Sequence, residues 1–372
     1  YREKFRDYED PVSVIRVNAE GSVTYRAMLF IPKVAPYNFY SRDFEPGLQL
    51  YSAGVMIMDK CKDLLPECFR FVKGIVDSPD LSLNISREML QHDRQLNMIK
   101  SNLEKKIKAE LLRLMEEEPE TYGEFYRNFG RQLKYGIVED YGMKAELLKD
   151  LIMFHSYEKD EPITLKSYVE SMPEGQEKIY YITGENVDLM GKLPQVEALK
   201  RKGYDVLLFT EDVDEFIPQT LVTYMEKSFC NAASEDLGLQ SEDEKKELEE
   251  KAEEKKGFLT FLKETLGERV KEVRLSSNLG SHPAAMVPDA GMSFEMEKYM
   301  KRVNPEFAFP VGRILELNAD HDAVKAMERA MTEDPMKAKD YAELLMYQAQ
   351  LMAQLPLEDP YAYTELVCKL MK

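Results

Sequence analysis

The segment 179–209 constrains the fold of this chain most, because a helix pattern separates two strand patterns there. Residues 179–183 (IYYIT) and 204–209 (YDVLLF) are short apolar runs rich in β-branched and aromatic side chains, which predicts buried strands. A helix over about 193–202 joins them, and Gly203 stands where that helix would end. Strands joined in this way run parallel and need helices packed on their sheet. The sequence therefore predicts an α/β fold (α+β overall).

The patterns around this unit predict a first domain over residues 1–240. Its parts would be a large portion of αβα layers (1–118), a helical portion (119–178) and the small β–α–β portion (179–240). The remaining strand patterns lie at 12–17, 23–31, 48–58 and 69–76, and helical spacing of apolar residues runs over 87–117 and 120–155.

Residues 241–256 (SEDEKKELEEKAEEKK) hold 8 acidic and 5 basic side chains with almost nothing apolar. This composition is typical of a solvated helix that links two domains. A smaller mixed α/β domain is expected over 257–372, ending in a helical bundle. It would open with a short helix, and its further predicted elements are strands at 270–276 and 284–288 and helices at 337–354 and 361–371.

Charge and hydropathy exclude several classes of protein. The 372 residues carry a net charge of −18, which is unsuited to neutralising nucleic-acid phosphates. No apolar run approaches the length of a membrane span, and no signal-peptide pattern follows Tyr1. We therefore expect a cytoplasmic protein without nucleic-acid or membrane partners, and the start at Tyr1 suggests a fragment of a longer chain.

No metal site is expected from the cysteines and histidines. The chain has four of each, and their spacing matches neither a CxxC pair nor an HExxH pair. The cysteines are expected to be reduced and mostly buried. They are Cys61, Cys68, Cys230 and Cys368.

The segment 77–91 (DSPDLSLNISREMLQ) carries the clearest candidate for chemistry. Ser86 is a good N-cap for the long helix, but Arg87 places a cation at the positive end of the helix dipole. Free backbone N–H groups and a guanidinium at one helix start suit a bound anion such as phosphate. The plain alternative is a surface salt bridge of Arg87.

Two other candidates are weaker. The acidic residues Glu211, Asp212, Asp214 and Glu215 follow a predicted strand, where they fit either a magnesium site or, as we favour, a solvated loop and helix start. The β–α–β unit lacks the GxGxxG fingerprint of a dinucleotide site. A nucleotide-dependent α/β enzyme built on that unit is therefore only an alternative.

Several segments closely resemble the heat-shock protein 90 chaperones, and they occur in that family's order from end to end. LSLNISREMLQ (81–91) resembles the family's catalytic-loop motif. The other matching segments are YEDP (8–11), LFIPKVAPYNFY (29–40), LLPECFRFVKGIVDS (64–78), IYYITGE (179–185), LKRKGYDVLLFTEDVDEF (199–216), residues around 248–273, GMSFEMEKYM (291–300) and ILELNADH (314–321).

The resemblance implies a middle domain and a C-terminal dimerisation domain, with the family's ATPase domain lying before Tyr1. Arg87 matches the arginine that reaches the ATP γ-phosphate, and Gln91 and Asn84 match polar residues of the same loop. ATP with magnesium is thus expected in the full-length parent, whereas this chain alone is expected to need no cofactor and to be inactive.

The resemblance also implies contact with unfolded or partly folded client proteins through segment 291–300. Glu295, Glu297 and Lys298 alternate with its apolar residues, so one buried face is not expected to hold them all, although a buried core helix is the alternative. Two residues of the first domain would line the same cleft. The predicted client-binding residues are Met292, Phe294, Met296, Tyr299, Met300, Tyr8 and Met56.

The last two predicted helices carry apolar stripes that need a partner helix, which predicts a homodimer through a four-helix bundle. The alternatives are packing within one monomer and a purely structural dimerisation module. The chain ends LVCKLMK without the acidic pentapeptide of eukaryotic members, so it looks more like the bacterial form and no tetratricopeptide co-chaperone is expected. The predicted interface residues are Leu344, Leu345, Leu351, Met352, Leu366, Val367, Leu370 and Met371. Tyr341 and Leu355 lie on the first stripe, with Leu344 to Met352.

Overall fold

A computed structural model describes residues 1–81, 94–233, 237–289, 292–306 and 311–371. The helices and strands up to residue 221 are α1 (Arg2–Phe5), β1 (Ser13–Ala19), β2 (Tyr25–Ile31), β3 (Leu48–Ser52), β4 (Val55–Cys61), β5 (Lys73–Asp77), α2 (Arg94–Glu117), α3 (Pro119–Val138), α4 (Ala145–Leu148), β6 (Met153–Ser156), β7 (Ile163–Thr164), α5 (Leu165–Glu170), β8 (Lys178–Thr183), α6 (Val187–Met190), α7 (Pro194–Arg201), β9 (Leu207–Phe209) and α8 (Ile217–Leu221). Those after it are β10 (Thr223–Tyr224), β11 (Lys227–Asn231), α9 (Glu242–Glu254), α10 (Lys256–Leu266), β12 (Glu272–Leu275), β13 (Ala284–Pro288), α11 (Phe294–Val303), β14 (Arg313–Leu317), α12 (Asp322–Glu333), α13 (Pro335–Met352) and α14 (Pro360–Leu370). The α/β fold class is confirmed.

The chain packs as two compact units. The first comprises residues 1–153, 164–166 and 216–221, and the second comprises the remaining described residues. This division does not test the domain boundaries expected from the sequence, which stay predictions.

A mixed five-stranded sheet in the order β1-β2-β5-β3-β4 forms the base of the first unit. The predicted pair 12–17 and 23–31 is confirmed as antiparallel β1 and β2. The single strand pattern at 48–58 is two strands, because Ala53 and Gly54 have φ of 50° and 80° and reverse the chain. A positive φ at both residues is the geometry of a tight hairpin turn.

Helices α2 and α3 carry the rest of the first unit's core. The apolar spacing predicted for the long helix is confirmed over its described part, where Leu96, Ile99, Leu103 and Ile107 are buried. Phe125 and Phe129 of α3 pack with their rings 5.4 Å apart.

The prediction of one helical stretch over 120–155 is wrong. Helix α3 ends at Val138, and Asp140, Tyr141 and Gly142 all have positive φ, which no right-handed helix accommodates. Residues 153–156 form strand β6, where the buried ring of Phe154 stacks 4.4 Å from that of Phe209. The stacking partner lies far along the chain, so local periodicity does not predict this strand.

The predicted β–α–β unit is confirmed in the second unit. Strands β8 and β9 are parallel, α7 joins them, and Gly203 follows the helix with φ of 76°. These strands lie inside a six-stranded sheet in the order β10-β11-β8-β9-β6-β7.

The charged segment forms α9, which buries none of its residues completely. Its start is fixed by a capping box in which Ser241 and Glu244 exchange hydrogen bonds. Beyond it, α10 and helices α12 to α14 surround a three-stranded sheet ordered β12-β14-β13. Strand β14 and helix α12 were not among the predicted elements. Every helix in the described ranges is too short or too polar to cross a lipid bilayer.

Candidate functional site

Helix α11 contains most of the predicted client-binding residues. It begins after Ser293, whose Oγ accepts a hydrogen bond of 3.0 Å from the backbone N–H of Met296 and so caps the helix. Phe294 belongs to the apolar core that α10, α12 and α13 form around the three-stranded sheet. The first turn of α11 is therefore anchored in that core.

Of the five apolar residues of this segment, Phe294 and Met296 are buried, and their role in client binding stays a prediction. Met292, Tyr299 and Met300 are half-buried. Glu297, one of the charged residues between them, is itself buried, and its carboxylate lies 2.5 Å from the Nζ of Lys301 at the surface. A charged residue can share a buried face when a partner neutralises it.

A small polar cavity adjoins α11, and sequence reasoning missed it. Residues 183–185 and 210–212 line it together with Glu215, Glu295 and Tyr299. Asp214 and Glu215 are buried, so the predicted solvated loop is wrong for these two residues. No group of three or more metal-ligating side chains converges anywhere in the described ranges.

Glu215 lines this cavity and is only 7% exposed. Its Oε1 accepts a hydrogen bond from the hydroxyl of Ser293. Burial raises the pKa of Glu215, and the hydrogen bond from Ser293 opposes that rise. At the surface beside it, Asp212 Oδ1 lies 2.7 Å from Arg302 Nη2 of α11.

The two predicted client-binding residues of the first unit face solvent. Tyr8 follows α1 and is 95% exposed, and Met56 on the edge strand β4 is 47% exposed. Large apolar side chains this open to water are available for contact with another protein. Their role in client binding stays a prediction.

The predicted catalytic-loop residues Arg87, Gln91 and Asn84 lie outside the described residues. The chain leading to them is well anchored. Ser78 Oγ donates a hydrogen bond of 2.7 Å to the carbonyl of Thr24, and Ser52 Oγ donates one of 2.6 Å to the carbonyl of Leu81.

The predicted dimer residues divide between core and surface. Leu345 and Leu366 are buried within the monomer, which is what the alternative of packing within one monomer expected for both stripes. Leu351 and Met371, in contrast, are 46% and 81% exposed. The other four, Leu344, Met352, Val367 and Leu370, are partly buried.

An apolar groove of about 310 Å³ runs along α13. Its lining residues are Pro283, Ala284, Leu345, Gln348, Ala349, Leu351 and Met352. Tyr347 and Tyr363 pack edge to face with ring centres 5.8 Å apart and hold α13 against α14. The last two helices therefore present a pre-formed apolar surface.

Comparison with known proteins places the chain in a family. The sequence profile described as Hsp90 protein matches residues 1–372. The chain is 46% identical over 371 residues to the chaperone protein HtpG of Oceanobacillus iheyensis, 47% identical over 372 residues to that of Clostridium acetobutylicum and 44% identical over 371 residues to that of Bacillus subtilis. These matches cover 100% of this chain but 59% of each relative's length. The chain belongs to the Hsp90 family.

Proposed function

We propose that this chain is the middle and C-terminal part of a dimeric, ATP-driven chaperone that binds unfolded or partly folded proteins in the cytoplasm. The observation that carries the proposal is the match of the entire chain to the Hsp90 family, with relatives named chaperone protein HtpG. The described fold supplies apolar surface suited to such binding.

The proposed client contacts of the second unit are the half-buried Tyr299 and Met300 of α11, and those of the first unit are the exposed Tyr8 and Met56. Methionine is flexible and polarizable, so it adapts to many partners. Scattered, partly exposed apolar groups bind unfolded chains weakly and reversibly, as a chaperone requires.

Suppression of aggregation by a denatured test protein checks client binding. Tyr299→Ser together with Met300→Ser is expected to weaken suppression several-fold without changing the thermal midpoint of unfolding. Tyr141→Ser together with Met143→Ser is the matched control, since these two side chains are more exposed but lie outside the proposed surface. Equal loss in both variants contradicts the assignment, and no suppression by the unaltered chain favours a purely structural dimerisation module.

The proposed ATP coupling rests on Arg87, with Gln91 and Asn84 as supporting polar residues. In the full-length protein the Arg87 guanidinium would stabilise the γ-phosphate of ATP, which with magnesium is held by the part absent from this chain. Arg87→Ala in the full-length protein is expected to lower the rate of ATP hydrolysis at least tenfold, and Arg94→Ala, at an exposed residue of α2, serves as control. Robust ATP turnover by residues 1–372 alone contradicts this proposal.

The homodimer is proposed to form through α13 and α14. The exposed Leu351 and Met371 and the groove beside α13 offer the apolar surface that a second copy would cover. No tetratricopeptide co-chaperone enters this proposal.

A further inference from the structure

Residues 211–215, which we name the acidic turn, contact α11 at both of its ends. At the N-terminal end, the hydroxyl of Ser293 donates to Glu215 Oε1. At the C-terminal end, Arg302 Nη2 lies 2.7 Å from Asp212 Oδ1. The ten residues of α11 span about 15 Å, so two contacts this far apart fix both the position and the direction of the helix.

Both contacts join α11 to a segment distant in sequence. Ser293 and Glu215 are 78 residues apart, and Arg302 and Asp212 are 90 residues apart. The N-cap bond from Met296 to Ser293 and the bond from Ser293 to Glu215 use the same hydroxyl oxygen. The N-cap of α11 and its contact with Glu215, which we call the tether, are therefore linked through the hydroxyl of Ser293.

The tether at Glu215 opposes the cost of a buried charge. Glu215 is almost fully buried beside Asp214, which is buried still more completely, and both have carboxyl groups that prefer water. A side chain held under such a cost gains hydration when the contact opens. The outer contact of Asp212 with Arg302 is solvent-exposed and therefore weak. Helix α11 is thus held to the acidic turn by one buried and one exposed contact, while Phe294 packs in the apolar core.

The docked position also decides which apolar side chains are accessible. Phe294 and Met296, in the first turn beside the Glu215 tether, are buried, whereas Tyr299 and Met300 in the second half remain partly open. Only part of the apolar surface of α11 is therefore available while the helix is docked.

We propose that the acidic turn is a latch that keeps α11 docked with Phe294 in the apolar core, and that its release lets the helix move away from the core and exposes Phe294 and Met296 to clients. This inference rests on the proposed client-binding function and describes its regulation. A client that binds the released helix more tightly than the docked one shifts the population toward the released state. Tyr299 and Met300 provide the first contact.

The test compares hydrogen exchange of the α11 backbone in the full chain and in latch variants. Glu215→Ala with Arg302→Ala removes both contacts and is expected to speed exchange of residues 294–300 at least tenfold. Glu215→Gln keeps an oxygen that accepts from Ser293 and is expected to leave exchange close to that of the unaltered chain. Ser241→Ala removes a helix cap of the same kind in α9 and should leave α11 unchanged.

Client affinity, measured with a fluorescent denatured protein, completes the test. The double variant is expected to bind about three- to tenfold more tightly than the unaltered chain. Unchanged exchange of α11 in the double variant overturns the latch. Faster exchange of α11 with unchanged client affinity overturns the control of client binding by the latch. Absence of client binding in every variant, including the unaltered chain, overturns the proposed function itself.

Discussion

The ammonium group of Lys144 lies 2.8 Å and 2.7 Å from the two carboxylate oxygens of Glu104. Glu104 is a buried residue in the middle of α2, and Lys144 stands immediately before α4, 40 residues later. The pair therefore ties the end of the irregular segment after α3 to the long helix, and it neutralises a charge that α2 could not otherwise bury.

Replacing Lys144 by methionine is expected to lower the free energy of unfolding by about 1–3 kcal/mol, because the Glu104 carboxylate then stays buried without its cation. Urea unfolding followed by circular dichroism measures the change. Lys149→Met is the matched control, since Lys149 pairs with the exposed Glu146 one turn away, and such surface pairs contribute less than about 1 kcal/mol. Equal effects of the two replacements would show that the Glu104 pair adds nothing beyond a surface contact.

Two glycines of α3 are expected to respond in opposite directions to replacement by alanine. A methyl group at Gly136 would lie 2.7 Å from Leu148 Cδ1 and even closer to Cys68, so Gly136→Ala should cost about 1–3 kcal/mol through overpacking. A methyl group at Gly123 would meet no described atom within 4 Å beyond the backbone of its own helix, so Gly123→Ala should stabilise the helix by about 0.5–1 kcal/mol. Thermal unfolding of both variants checks the contrast, and a shared sign contradicts the packing described here.

Local pattern predicts much of this fold and little of the cavity beside α11. The buried stripe of α2 is predicted by its helical spacing, and the strands β8 and β9 are predicted by two short apolar runs on either side of a helix pattern. Strand β6 depends on Phe209, a partner 55 residues beyond Phe154, and the left-handed Asp140 has no strong local signal. Likewise, the acidic residues of the acidic turn predict a solvated loop, because the sequence near Glu215 does not indicate its contact with Ser293, which lies 78 residues away.

The turn between β3 and β4 carries a strained residue. Ala53 has φ of 50°, which costs about 1–2 kcal/mol for an ordinary L-residue but much less for asparagine or glycine. Because Ala53 is exposed, Ala53→Asn should raise the free energy of unfolding by about 0.5–1 kcal/mol. Gly54→Ala, at φ of 80° in the same turn, should lower it. A destabilising Ala53→Asn would mean that the turn has another geometry.

Glu215 makes the stability of the second unit depend on pH. Its pKa in the folded state is raised above 4.5 by burial, so the folded state binds the proton more tightly than the unfolded chain does. Stability therefore falls as the pH rises from about 4.5 through the raised pKa, and the loss is complete above it. Glu215→Gln cannot ionise, so it should be more stable than the unaltered chain at pH 7 and equally stable near pH 4. Parallel pH profiles for both proteins would contradict this assignment.

The dimer surface is tested by placing a charge at Leu351. This residue lines the groove of α13, yet it is 46% exposed, so Leu351→Glu leaves the monomer core intact. Sedimentation of the unaltered chain should give about twice 43.2 kDa at micromolar concentration, and Leu351→Glu should give the monomer, because burying an unpaired carboxylate opposes association. Met336→Glu puts the same charge on an exposed residue at the other end of α13 and should leave the dimer in place. A dimer that survives Leu351→Glu but dissociates with Met336→Glu would place the interface at the start of α13.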